Sequence, residues 1–170
     1  MNPELFTVKS HQALLAAKQL ASNNGNPEIT PVHLLFELIA QEDGVVRPVL
    51  EKVGATPQVL QAGLAVELGK LPSASGDTGQ IGISRDMEKV IADAEKAMKK
   101  LGDEYLSTEH LLIAMARTKG PAMSVLKGAG VSEEVILEAL KTIRGGQRVT
   151  DREPENKYQT LEKFTRDLTR

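Results

Sequence analysis

The sequence predicts an all-α protein: two similar four-helix repeats forming one eight-helix globular domain of pseudo-twofold symmetry, followed by a flexible linker. Three observations carry this reading. The chain repeats itself once, each copy is punctuated by helix start and stop signals, and the composition supplies an aliphatic core. Thr30-Pro31-Val32-His33-Leu34-Leu35 recurs as Ser107-Thr108-Glu109-His110-Leu111-Leu112, which puts His33 and His110 77 positions apart. The same offset pairs Phe6 with Ile83, Thr7 with Ser84, Ala17 with Ala94 and Asn26 with Asp103. Val49-Leu50 then matches Val125-Leu126 at an offset of 76, so one residue has been lost between them. Two copies of this length are too few for a solenoid, and a single duplicated domain is the simpler reading.

In the first copy, Thr7 caps a helix running to about Asn23, with Ser10, Ala13, Leu14, Ala17, Leu20 and Ala21 along one face. Gly25 supplies the left-handed residue at which it stops. Thr30-Pro31 is a cap followed by proline at the first helical position, where the missing N–H costs nothing. Leu34, Leu35, Leu38 and Ile39 form the buried stripe of that helix. A short third helix ends at Gly54, and Thr56-Pro57 opens a fourth that carries Leu60, Leu64 and Leu68. In the second copy Ser84, Ser107 and Ser132 are the caps, Pro121 starts the third helix, and Gly102, Gly128 and Gly145-Gly146 are the stops.

These signals divide the chain into a domain over 1–146, with repeat one at about 6–68, a loop over 69–82 and repeat two at about 83–143. Residues 147–170 are read as a linker and the start of a further module. Gln147 to Asn156 lacks apolar spacing, whereas Tyr158, Leu161, Phe164 and Leu168 recur at helical spacing without a partner in the chain.

Composition narrows the function classes. With three Phe, two Tyr and no Trp in 170 residues, the core must be built from Leu, Ile, Val, Ala and Met. The absence of cysteine excludes disulfides, cysteine zinc sites and thiol catalysis. A net charge of −2 gives no electrostatic footprint for nucleic acid. No apolar run approaches the roughly 18 residues of a membrane span, and no signal peptide opens the chain, so a cytoplasmic protein without membrane contact is expected. No Gly-x-x-x-x-Gly-Lys motif is present to cradle a phosphate. The three histidines lack metal-ligand spacing and read as helix-start residues, so no metal, cofactor or catalytic residue is assigned.

The repeat also acts as an internal control on candidate binding residues. An acid at the second position of a helix stabilises it by about 0.3–1 kcal/mol. Glu109 has that place, yet its counterpart is Val32, so the architecture does not demand the charge. Asp103 likewise matches the neutral Asn26, and Thr7 matches Ser84. A groove where the copies meet, with apolar walls and Thr7, Asp103 and Glu109 at its rim, would suit an extended apolar peptide.

The duplicated Thr30–Leu35 and Ser107–Leu112 pattern resembles the double Clp-N motif at the front of Clp-type AAA+ unfoldases. The tail, Ile143-Arg144-Gly145-Gly146-Gln147-Arg148-Val149-Thr150-Asp151 and then Tyr158 to Thr169, is similar to the passage into the first ATPase module of the ClpB-type disaggregase family. The resemblance implies a substrate-recognition domain that binds exposed apolar segments of unfolded or aggregated clients. Its parent would be an ATP-driven homohexamer working with the DnaK system, with ATP and Mg held in ATPase modules this chain lacks. The chain itself would be a monomer. The family's contact residues fall on Thr7, Ile91, Asp103, Glu109 and His110. The alternative is the N-domain of a ClpC- or ClpA-type unfoldase that recruits adaptors for a protease.

Overall fold

The computed structural model describes residues 3–73 and 80–154, and eight α-helices account for most of them. They are α1 (Val8–Asn23), α2 (Pro31–Ala40), α3 (Val46–Lys52) and α4 (Pro57–Gly69) in the first repeat. The second repeat contributes α5 (Arg85–Lys100), α6 (Thr108–Arg117), α7 (Pro121–Gly128) and α8 (Glu133–Arg144). The fold class and the helix starts agree with the sequence reading. Thr7 and Ser84 accept hydrogen bonds from the N–H groups of Ser10 and Met87, each three residues on, and Ser132 does the same for Val135. Gly25 and Gly102, one offset apart, have φ of 71° and 74°, the left-handed turn a side chain would strain.

The joining of the copies goes beyond the sequence reading. Two very short strands, β1 (Glu28–Ile29) and β2 (Gly82–Ile83), pair in parallel, with Ile29 opposite Ile83. Phe6 forms a parallel bridge with Leu106. Since Phe6 corresponds to Ile83 and Ile29 to Leu106, these are the same pairing made twice, each time between copies. Thr7 N–H donates to the Leu106 carbonyl at 3.0 Å, and Ser84 N–H to the Ile29 carbonyl at 3.1 Å. The helices follow suit: α3 packs on α8 and α4 on α7, so the third helix of each copy meets the fourth of the other. The two repeats therefore share one core.

At the centre lie α2 and α6. Every residue of α6 from Thr108 to Ala116 is buried, a helix apolar around most of its circumference and therefore internal. α1 instead turns small residues inward, Ser10, Ala13, Ala17 and Ala21, and so approaches its neighbours closely.

The segment after Gly146, expected as linker from its first residue, lies on the domain as far as Arg152. Val149 is fully buried, Glu104 N–H donates to its carbonyl at 2.8 Å, and Val8 N–H donates to the Arg152 carbonyl at 2.8 Å. Arg152 Nε reaches the Phe6 carbonyl at 3.0 Å. One apolar residue among polar ones gives no periodicity, so this packing leaves no pattern in the sequence. The amphipathic stretch Tyr158 to Leu168 and the loop residues 74–79 lie outside the described residues.

Candidate functional site

Thr7, Asp103, Glu109 and His110 gather around the Phe6–Leu106 bridge, but not at a solvent-facing rim. Thr7, Glu109 and His110 are wholly buried and Asp103 nearly so. The histidines explain why. Ser107 N–H, an unsatisfied donor at the start of α6, donates to His110 Nδ1 at 2.8 Å. A backbone N–H can only donate, so Nδ1 accepts and the ring proton sits on Nε2. That proton goes to Asp103 Oδ2 at 2.7 Å. The first copy repeats the device: Thr30 N–H donates to His33 Nδ1 at 2.9 Å, and His33 Nε2 meets Asn26 Oδ1 at 2.8 Å. Each histidine stands where a capping box has Glu or Gln, and ties a helix start to the preceding loop. Both are interior clips rather than residues of a helix rim.

Whether the loop residue is Asn or Asp follows from the chain that crosses it. Beside Asn26 runs Pro72, which has a carbonyl but no N–H, and Asn26 Nδ2 donates to that carbonyl at 3.0 Å. Beside Asp103 runs Val149, whose N–H donates to Asp103 Oδ1 at 3.0 Å. An acid can only accept here and an amide can donate, so each loop has the side chain its neighbour requires.

Asp103 also receives both terminal nitrogens of Arg144, at 3.0 Å on Oδ2 and 2.6 Å on Oδ1, a bidentate pair. Burial would push its carboxyl up. The hydrogen bonds from His110, Arg144 and the Val149 N–H, with the Arg144 charge, outweigh that and hold it at about 2 against an ordinary 3.8. Glu109 accepts from Ser107 Oγ through Oε1, and its Oε2 lies 3.6 Å from Arg144 Nη1. The acid therefore has a structural partner in Arg144, which the first copy replaces with an apolar residue, Leu68. His33 faces the uncharged Asn26, and burial lowers its pKa.

Thr7 is tied to the Phe6–Leu106 bridge: Ser10 Oγ, which accepts from Thr7 Oγ1, donates to the Leu106 carbonyl at 2.7 Å. Phe6 in turn lines an open apolar cavity of 280 Å³ where the copies meet. Its floor is Phe6, Ile29 and Met87, all buried. Its walls are Leu14 and Leu15 of α1 against Ile81 and Ile83, with Leu15 55% exposed. Lys18 and His11 supply its polar edge. Ile91 does not line it; this residue corresponds to Leu14 by the 77-residue offset and sits on α5, 8% exposed.

Sequence reasoning missed the groove residues Leu14, Leu15, Ile81 and Ile83. Part of their signal was present: Leu15 lies off the Ser10–Ala13–Ala17–Ala21 stripe, whereas Leu14, expected on the core face, is only partly buried there. Among the described residues no group of three or more His, Asp or Glu could hold a metal ion, and no helix is long and apolar enough to cross a membrane.

The comparisons with known proteins bear on the family and the fold. Residues 5–129 match the family of the Clp repeat (R) N-terminal domain. The chain is 43% identical over 163 residues to the chaperone protein ClpB of Mycobacterium leprae, an alignment covering 96% of this chain and 19% of that protein. The chain thus spans about a fifth of the length of the curated relatives it matches. Among solved structures, the Hsp104 N-terminal domain from Candida albicans superposes with a TM-score of 0.78 at 23% identity, covering 88% of this chain and 98% of that one. A ClpV N-domain solved in complex with a VipB peptide gives a TM-score of 0.66 at 18% identity, covering 87% and 92%.

Proposed function

The chain belongs to the Clp repeat N-terminal domain family, and from that premise we propose that it is the client-recognition domain of a ClpB-type ATP-dependent chaperone. In this reading it binds exposed apolar segments of unfolded or aggregated protein, and the rest of its parent, an ATP-hydrolysing hexamer acting with the DnaK system, extracts and unfolds them. The observation that carries the proposal is the open groove between the copies, walled by Leu14, Leu15, Ile81 and Ile83.

Its chemistry suits such a ligand. A folded monomer gains nothing by leaving Leu15 in water, and a concave apolar site with few polar groups accepts many sequences rather than one. Each buried apolar side chain of a client adds about 1.5–3 kcal/mol before the cost of ordering it, so a short segment binds weakly. Display on a ring offsets that through effective concentration. The peptide-bound ClpV N-domain supports the reading by analogy of fold. Thr7, Asp103, Glu109 and His110 serve the same function at one remove, by holding Phe6 and Leu106.

The test is a titration of methyl-labelled chain with a permanently unfolded protein. Shifts confined to Leu14, Leu15, Ile81 and Ile83 support the proposal; an unperturbed spectrum, or shifts elsewhere, rejects it.

A further inference from the structure

A second concavity, of 470 Å³, lies where the ends of α5 and α8 meet, and it shares no lining residue with the client groove. Leu140 is buried at its base, Leu101 and Leu137 are half-buried, and Lys141 and Arg148 are exposed beside them. Neither cation forms an ion pair with another described residue, whereas Arg144 behind them is committed to Asp103.

The internal repeat separates what the fold needs here from what it does not. Leu140 corresponds to Leu64, which is equally buried, so a leucine at this place belongs to the core. The other four residues have no such echo. Leu101 corresponds to Asn24, Leu137 to Gln61 and Lys141 to Ala65, and Arg148 lies beyond the repeat. A cation in the last turn of a helix is favourable, which accounts for Lys141. It does not account for Arg148, beyond the helix, nor for two leucines left half in water.

We propose that this leucine-floored, basic face binds an acidic amphipathic segment of a partner protein. Two apolar side chains of the segment would lie on Leu101 and Leu137, and its carboxylates would meet Lys141 and Arg148. The charge complementarity selects this occupant: an unfolded client needs only apolar contact, while two such cations flanking leucines favour a ligand with acids flanking its own apolar residues. The proposal goes beyond the client groove and stands without it.

The test uses the full 170-residue chain, labelled at its methyl groups and amides. It is titrated with a short synthetic helical peptide carrying two leucines one turn apart among glutamates, with the same peptide carrying Gln for Glu, and with a single-stranded oligonucleotide. The expected result is perturbation at Leu101, Leu137 and Arg148. Affinity for the Glu peptide falls about tenfold or more with the Gln peptide or with Lys141→Glu/Arg148→Glu, and falls with salt. Lys141→Ala/Arg148→Ala gives an intermediate loss and guards against a folding defect in the charge reversal. No binding of the Glu peptide, equal binding of both peptides, insensitivity to the substitutions, or perturbation at Leu14 and Leu15 instead overturns the proposal. An oligonucleotide that binds as tightly as the Glu peptide also overturns it, since the face would then be a general polyanion site.

Discussion

Asp103 accepts the Nε2 proton of His110 at 2.7 Å, in the place where the first copy sets the neutral Asn26 against His33. The two clips have the same shape and differ in charge, and the charge is matched by Arg144 and by a backbone N–H of the returning chain. Asp103 is therefore the point at which helix α6, helix α8 and the segment after Gly146 are tied together.

Asp103→Asn keeps an acceptor for His110 but weakens the pairing with Arg144 and loses the charge. A carboxyl held at about 2 instead of 3.8 corresponds to about 2 kcal/mol at neutral pH. Chemical denaturation should show that loss, with faster hydrogen exchange at the amide of Val149. Asn26→Asp should also destabilise, because it replaces the donor to the Pro72 carbonyl with a second acceptor.

The pH dependence follows from the same groups. The folded pKa of Asp103 lies below its unfolded value, so its contribution is complete above about 4 and is lost as pH falls towards 2. His33 is lowered from 6.5, so the folded state resists its protonation and stability begins to fall as pH drops through that value. Denaturation midpoints across this range should decline in two stages. Asp103→Asn should flatten the lower stage and leave the upper one.

Glu109→Ala removes a buried carboxylate from Ser107 and Arg144. The expected cost is about 2 kcal/mol, or about 4–8 °C in the midpoint. Client affinity measured where the variant is folded should change by less than about threefold, as a positioning residue behind the groove would have it. A variant of unchanged midpoint that no longer binds clients would make Glu109 a direct contact.

Val149→Ala should cost about 1–3 kcal/mol, since the side chain is fully buried, while Gln147→Ala should cost nearly nothing, because Gln147 contributes its carbonyl to Arg144. Urea denaturation distinguishes the two, and equal effects would mean that this segment does not pack against the domain.

Much of the fold is legible in the amino-acid sequence. Thr7, Ser84, Ser132 and the Thr30-Pro31 and Thr56-Pro57 pairs lie within three residues of the helix starts they mark, so the helices can be read locally. The duplication exposes the equivalence of Asn26 with Asp103, and of Val32 with Glu109. The meaning of those differences stays hidden, because it depends on Arg144, Pro72 and Val149, which lie well over 30 residues away in each case. The Ile29–Ile83 and Phe6–Leu106 pairings are too short to leave a pattern, and so the exchange of partners between copies is invisible at that level. Glu109 looks dispensable beside Val32, yet the second copy carries an arginine to match it.

The central claim is that clients bind along Leu14 and Leu15, in front of the buried polar cluster rather than on it. Leu15→Glu tests it most directly, since Leu15 is 55% exposed and the substitution should move the stability by no more than about 0.5 kcal/mol. Titration of an unfolded client should then show affinity reduced about tenfold or more at an unchanged midpoint. Unchanged affinity in the folded Leu15→Glu chain would contradict the account.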